Sequence, residues 1–297
     1  METGMKAGIS VVMNTLNEER NLPLALRSVM PWADEIVVAD MHSQDRTAEI
    51  ARQFGARVCL HEGPGFNYAP REFAVSQANC EWVFVLDADE LVPLALSDDL
   101  IYIASSASAE VATIPRRNFM MGVPLAATGW GPTQDYQTRF FRKEKIRASS
   151  IAHHDFTPVE GARVFRLPYN GRNAIIHFNY LDSAHFIRKL NQYTSIEAMQ
   201  SMERGRHAGP FKALVLAGRE FLVRYFMRGG YRDGWRGLYL SCFMAFYRLA
   251  TCAKFQELES VGNAQEVEAR YREEAEKAIS EYELACSTCL QGRARAL

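Results

Sequence analysis

Four short apolar runs, each ending in a polar loop and separated from the next by residues at helical spacing, occupy roughly the first ninety residues of this 297-residue chain. Ile9-Ser10-Val11-Val12-Met13 leads into Asn14-Thr15-Leu16-Asn17-Glu18-Glu19. Leu22, Ala25, Leu26 and Val29 then recur at helical spacing, with Glu18 and Glu19 placed to favour the first turn electrostatically. Glu35-Ile36-Val37-Val38-Ala39 ends in Asp40, and Asp45-Arg46-Thr47 opens a helix carrying Ile50, Ala51 and Phe54 that Gly55 closes. Arg57 to Leu60 reads as a third strand, Pro70 to Cys80 as a third helix and Trp82 to Leu86 as a fourth strand. Strands and helices alternating in this way form βαβ units around a parallel sheet. The polar loops then gather at the carboxyl ends of the strands, where α/β proteins bind ligands.

The fourth run delivers Asp87-Ala88-Asp89-Glu90 to that edge. Residues i and i+2 of an extended segment point the same way, so Asp87 and Asp89 can converge on one hard cation. In the competing reading Asp89 caps a helix beginning near Glu90 and Asp87 is solvated. Gly63-Pro64-Gly65 lacks the third glycine of a dinucleotide-binding loop and reads as a turn. With 48% hydrophobic residues the chain can bury a substantial core, and a net charge of -1 gives no global reason to expect nucleic acid. Six cysteines do not build a disulfide framework in a chain this long, and Cys286 and Cys289 form one CxxC without the second pair that zinc needs. Met1 to Gly8 is short and mixed, which predicts a cytoplasmic protein.

The distal third changes character. From Phe211 to Phe255, Lys212, Arg219, Arg224, Arg228, Arg232, Arg236, Arg248 and Lys254 outnumber the acids and are interleaved with aromatic and aliphatic residues. Gly237 to Tyr247, apolar and uncharged, is about half the roughly 20 residues that span a bilayer. Gly229-Gly230 interrupts the near-helical arginine spacing, predicting two short amphipathic pieces that lie on an anionic membrane surface and leave it at high salt. Gln265 to Glu283 reads as a charged surface helix.

In this order, Ile9 to Glu19, Trp32 to Thr47, Pro70 to Ala74, Trp82 to Glu90, Pro115 to Asn118, Gly129 to Phe141, Ile151 to His154 and Ile175 to Tyr180 resemble the family 2 glycosyltransferases, and among them the bacterial lipopolysaccharide-core type. The resemblance implies a GT-A fold: an α/β, Rossmann-like, mainly parallel sheet with flanking helices, here followed by a helical membrane-associating region. It sets Thr15, Asn17 and Glu18 against the nucleotide of a nucleotide-sugar, Asp40 on the uracil imide and Arg71 near the sugar-diphosphate. Asp87 falls where ribose and metal are met, and Asp89 on the direct ligand of Mn²⁺ or Mg²⁺. Glu72, where relatives usually carry Asn, and Met41-His42, where small residues are commoner, depart from the pattern and bear on the donor sugar.

A transferase of this kind needs a group that takes the acceptor proton. Asp135, in the segment Trp130 to Arg139 where glycine and proline make a loop and aromatic residues offer a face to a sugar ring, matches the general base of inverting relatives. Its structural alternative is an ion pair with Arg139. His153 and His154 compete for the base role or for a further metal position, and His177, inside an apolar run, reads as a satisfied core histidine. The expected organisation is a nucleotide-sugar-binding half at 1–104, an acceptor-binding catalytic half at 105–205 and a basic helical region with an acidic C-terminal helix at 206–297. The reading is a metal-dependent, inverting hexosyltransferase acting on a lipid-linked saccharide, peripheral on the inner face of the cytoplasmic membrane. The alternatives are a Mg²⁺-dependent phosphatase using Asp87 and Asp89, or a non-catalytic saccharide-binding protein of the same fold.

Overall fold

The computed structural model describes residues 6–62, 68–106, 108–148, 156–205 and 209–294. They fall into two compact units, one of residues 1–187 with 222–241 and one of residues 188–221 with 242–297.

The first unit opens with β1 (Lys6–Thr15), α1 (Leu22–Val29), β2 (Glu35–Asp40), α2 (Thr47–Gln53), β3 (Arg57–Leu60), α3 (Tyr68–Gln77) and β4 (Cys80–Val85). The four strands run parallel in the order β3-β2-β1-β4. The apolar runs of β1, β2 and β4 are buried on both faces, while β3 lies at the sheet edge with Leu60 exposed. Ile9, Val11, Met13 and Phe84 pack with Leu22, Ala25, Leu26 and Val29 of α1 on one side, and Val12, Val37, Val83 and Val85 pack with Ala74, Val75 and Ala78 around α3 on the other. Each such side chain, fully buried, contributes about 1.5–3 kcal/mol. Cys80 begins β4 instead of closing α3, because Asn79 turns the chain through bonds to Glu35.

The unit continues with β5 (Glu90–Leu91), α4 (Leu94–Ser106), β6 (Val111–Met120), β7 (Val123–Pro124), β8 (Tyr136–Arg142), β9 (Ile146–Ala148), β10 (Phe156–Pro158), β11 (Val164–Arg166) and β12 (Ile175–Tyr180). Here the sheet becomes mixed: β8 lies antiparallel between β4 and β6, β12 runs parallel to β6, and β5 pairs antiparallel with β12. Glu90 thus enters a strand, which rules out the helix that Asp89 was read as capping. Residues 222–241 complete the unit with a π-helical turn (Val223–Met227), a tight turn (Gly230–Asp233) and the first residues of a later helix.

The second unit is helical, drawing on α5 (Ser183–Glu203), α6 (Pro210–Leu222), α7 (Gly234–Ser260) and α8 (Ala264–Ala294). Lys254 Nζ donates to Asn191 O, Thr194 Oγ1 and Ser195 Oγ at 2.6–2.8 Å, and Arg248 reaches Glu220 at 3.2 Å, so polar clasps join its helices. The charged helix expected near Gln265 is α8, laced by pairs such as Arg272 with Glu268 at 2.8 Å. No described helix is long and apolar enough to cross a membrane.

Candidate active site

The β1 and β2 carboxyl ends finish side by side, Thr15 opposite Asp40. Both residues are buried, and Thr15 Oγ1 donates to Asp40 Oδ1 at 3.1 Å. Ser43 donates its hydroxyl to Oδ1 at 2.6 Å and its N–H to Oδ2 at 3.0 Å, leaving Asp40 about one of its four lone-pair directions for a ligand. Asn17, at φ +58°, donates its N–H to Ser43 Oγ at 2.9 Å and accepts Gln44 N at 2.8 Å. Glu18 N donates to Thr47 Oγ1 at 2.8 Å, and Glu19 accepts Arg46 N at 3.1 Å. Glu19 therefore braces the loop after β2, and no acid occupies the first turn of α1. These bonds, each worth about 0.5–1.5 kcal/mol net, make the two loops one preformed cradle.

One strand over, Asp87 follows the end of β4. Arg71 Nη2 lies 2.7 Å from each of its carboxylate oxygens, and the buried Arg139 donates to Oδ2 at 2.9 Å. Burial alone would raise the Asp87 carboxyl, but the charges of Arg139 and Arg71 outweigh it and hold the group well below the usual carboxylate range. With both oxygens engaged by guanidinium groups, Asp87 is a poor nucleophile for a phosphatase.

Asp135 stands across β6. Arg116 Nε donates to its Oδ2 at 2.9 Å, Asn118 Nδ2 to the same oxygen at 2.7 Å, and Gln137 Nε2 to Oδ1 at 2.5 Å. The structure does not form the alternative ion pair of Asp135 with Arg139: the partner of Asp135 is Arg116, while Arg139 belongs to Asp87. Arg116 also reaches the fully buried Glu90 at 3.2 Å, and Glu90 accepts the Asp87 N–H at 3.0 Å. Burial opposes the Arg116 charge, but Asp135 and Glu90 prevail and raise its pKa.

Asn118 donates to Trp130 O at 2.9 Å as well as to Asp135, so its amide oxygen faces His177 Nδ1, 2.6 Å away. That nitrogen carries the hydrogen, and Nε2 is turned toward Asp89 Oδ2 at 3.4 Å. His177 is buried and hydrogen-bonded, as a satisfied core histidine is, and its other ring nitrogen also stands beside Asp89. A continuous polar chain results, running Asp87, Glu90, Arg116, Asp135, Asn118, His177 and Asp89. Glu90, Arg116, Asn118 and Gln137 were not singled out from sequence; their signal was alternation, since Arg116 and Asn118 are i and i+2 on one strand.

A carboxylate and an imidazole at this spacing form a donor pair for a divalent cation. Among the described residues no group of three or more such side chains assembles, so a cation here would draw its further ligands from elsewhere. His153, His154 and Gly63-Pro64-Gly65 lie outside the described residues, as do the side chains of Cys286 and Cys289.

The model of Glycosyl transferase family 2 matches residues 10–170, more than half of the chain, from within β1 to just past β11. The lipopolysaccharide core biosynthesis glycosyltransferase LpsC of Rhizobium meliloti is 28% identical over 265 residues, covering 85% of this chain and 93% of LpsC. An uncharacterized glycosyltransferase of Rickettsia typhi is 26% identical over 264 residues, covering 84% and 87%. Among solved structures, S. aureus TarS 1-349 in complex with UDP-GlcNAc superposes with a TM-score of 0.47 at 17% identity, covering 85% of this chain and 90% of that one. The match across the strands and loops that build the site shows that the chain belongs to glycosyl transferase family 2 and is a glycosyltransferase.

Proposed function

We propose that this enzyme moves a hexose from a nucleotide-sugar, with UDP as the nucleotide, to a hydroxyl of a lipid-linked saccharide of the lipopolysaccharide-core kind. Transfer proceeds with inversion and with Mn²⁺ or Mg²⁺ at the donor. The observation that carries this reading is the polar chain, which ties Asp135 through buried partners to both Asp87 and Asp89. In this reading Thr15, Asn17 and Glu18 line the nucleotide, the free lone pair of Asp40 takes the uracil imide N–H, and Arg71 lies beside the diphosphate. Asp89 and His177 would hold the cation, with Asp87 next to it and to the ribose. When bound, the cation stabilises the negative charge that gathers on the diphosphate as the sugar departs.

The remaining work falls to the chain. Arg71 and Arg139 keep Asp87 ionised. Arg116 and Asn118 occupy Asp135 Oδ2 and Gln137 takes one direction of Oδ1, leaving Oδ1 a lone pair for the proton of the attacking hydroxyl. The name of the LpsC relative supports the acceptor class. A lipid-borne acceptor also calls for a membrane surface at the inner face of the cytoplasmic membrane. The exposed Phe226, Met227, Tyr231, Trp235 and Tyr239 supply aromatic and apolar groups suited to it.

The test is incubation with Mn²⁺ or Mg²⁺ and a panel of nucleotide-sugars and saccharide acceptors, following nucleoside diphosphate release and the anomeric configuration of the product. UDP release and an inverted linkage are expected. Release of inorganic phosphate would point to the phosphatase, and full turnover in EDTA would remove the metal.

A further inference from the structure

Two guanidinium groups converge over Gly129. At φ +90° this residue occupies backbone space that favours glycine, and a Cβ built there would lie 2.5 Å from Arg228 Nη1 and 3.0 Å from Arg224 Nη1. The two arginine tips thus fill the volume that any other side chain at 129 would need. Arg224 is held in place by donating to Thr128 O at 2.9 Å and by stacking 4.5 Å from the centroid of the Trp130 ring. Arg228 is positioned through its backbone: Gln134 Nε2 donates to its carbonyl at 2.9 Å, and Gln134 Oε1 accepts Gly129 N at 2.8 Å.

Like charges brought this close repel unless an anion joins them. Arg228 has no carboxylate partner among the described residues. Asp233, the sole acid of segment 222–241, is committed to Ala126 N at 2.8 Å, Ala127 N at 3.1 Å and the Thr128 hydroxyl. The loop that the two arginines meet, at Thr128 and Gly129, also carries Trp130, whose carbonyl holds Asn118, and Asp135, which Asn118 orients.

We propose that Arg224 and Arg228 form a subsite for an anionic substituent of the acceptor saccharide, a phosphate monoester or a carboxylate, with Trp130 offering its ring to the sugar. Guanidinium forks match the oxygens of both groups. The inference rests on the transferase reading, because it takes the loop of Asp135 as the acceptor side. The enzyme accordingly prefers an acceptor already charged, so a kinase or a transferase of acidic sugars must act before it.

The test uses the full chain and two soluble probes, mannose 6-phosphate and mannose, titrated calorimetrically into wild type, Arg228→Gln and Arg232→Gln. Wild type should bind the phosphorylated sugar about tenfold or more tightly than the neutral one. Arg228→Gln should lose that preference, and Arg232→Gln, equal in net charge, should keep it. Equal affinity of wild type for the two sugars, or equal loss in both variants, overturns the subsite. A third arm, sedimentation with phosphatidylglycerol vesicles, separates the other source of phosphate. If Arg228→Gln abolishes vesicle binding while wild type does not discriminate between the sugars, the pair reads a lipid headgroup and the proposal fails. Failure of wild type to release UDP from any nucleotide-sugar would sink the transferase reading alone, since the sugar titrations do not depend on turnover.

Discussion

At the scale of single residues, two carboxylates in one site are held for different work. Asp135 keeps a lone pair open among its fixed donors, so Asp135→Asn should preserve the side chain's shape while removing the proposed proton acceptor. Transfer should fall by about 10²–10⁴ with the UDP dissociation constant nearly unchanged; equal loss in UDP binding would assign Asp135 a structural role. Asp87 is a pH sensor of stability. Its folded pKa lies below the unfolded value of about 3.9, so its pairs with Arg71 and Arg139 stabilise fully above that value, and the contribution drains as pH falls toward the folded pKa. Urea unfolding should show Asp87→Asn less stable than wild type at pH 7 by about 1–3 kcal/mol, with the gap closing on acidification. A gap that widened would reverse the assignment. Asp89→Asn and His177→Ala should each raise the Mn²⁺ concentration that gives half-maximal activity; an unchanged metal requirement in His177→Ala would remove the imidazole from the cation site.

At the scale of elements, the parts that were legible in sequence are those that one strand decides alone. Acids after an apolar run mark the end of β4 whatever the strand pairs with, and Asp40 and Asp87 follow from that. Asn118 and His177 meet because β12 pairs with β6 in the register that sets those two residues opposite each other, and no local pattern encodes that choice. The arginines of 224–236 went the same way. Arg228 N bonds Val223 O at 2.8 Å, an i to i+5 link that inserts a π turn and shifts the helical phase on which their common face was read. Arg224 therefore turns onto Trp130, and Arg236 donates to Met121 O at 3.0 Å. The contact beneath them is tight: a Cβ at Gly237 would lie 1.8 Å from Gly230 O. Gly237→Ala should therefore lower thermal stability by the equivalent of about 1–3 kcal/mol and depress turnover through the loop at 126–135. Unchanged melting would mean that the segment packs loosely.

At the scale of the whole molecule, the inward-turned Arg224 and Arg236 bear on the proposed attachment to a lipid surface. Side chains bonded to carbonyls keep their charge but have fewer free N–H donors to offer a headgroup, whereas Phe226, Met227, Tyr231, Trp235 and Tyr239 remain exposed. Attachment to anionic vesicles should thus persist in large part at high salt, where charge alone is screened within a few ångströms. Replacing Phe226 and Trp235 by Ser should weaken sedimentation more than salt does; complete release by salt from wild type would restore the electrostatic picture. Asp233 has a consequence in time as well as in space. It caps the N–H groups of Ala126 and Ala127 across a separation of 107 and 106 residues, so the loop beside Asp135 stays unclamped on the ribosome until the chain has grown past residue 233. The bonds that join the loops at 15–47 close over short sequence separations, whereas the clamp on the loop at 126–128 needs residue 233, and a fragment cut at the end of the family match would lack that clamp.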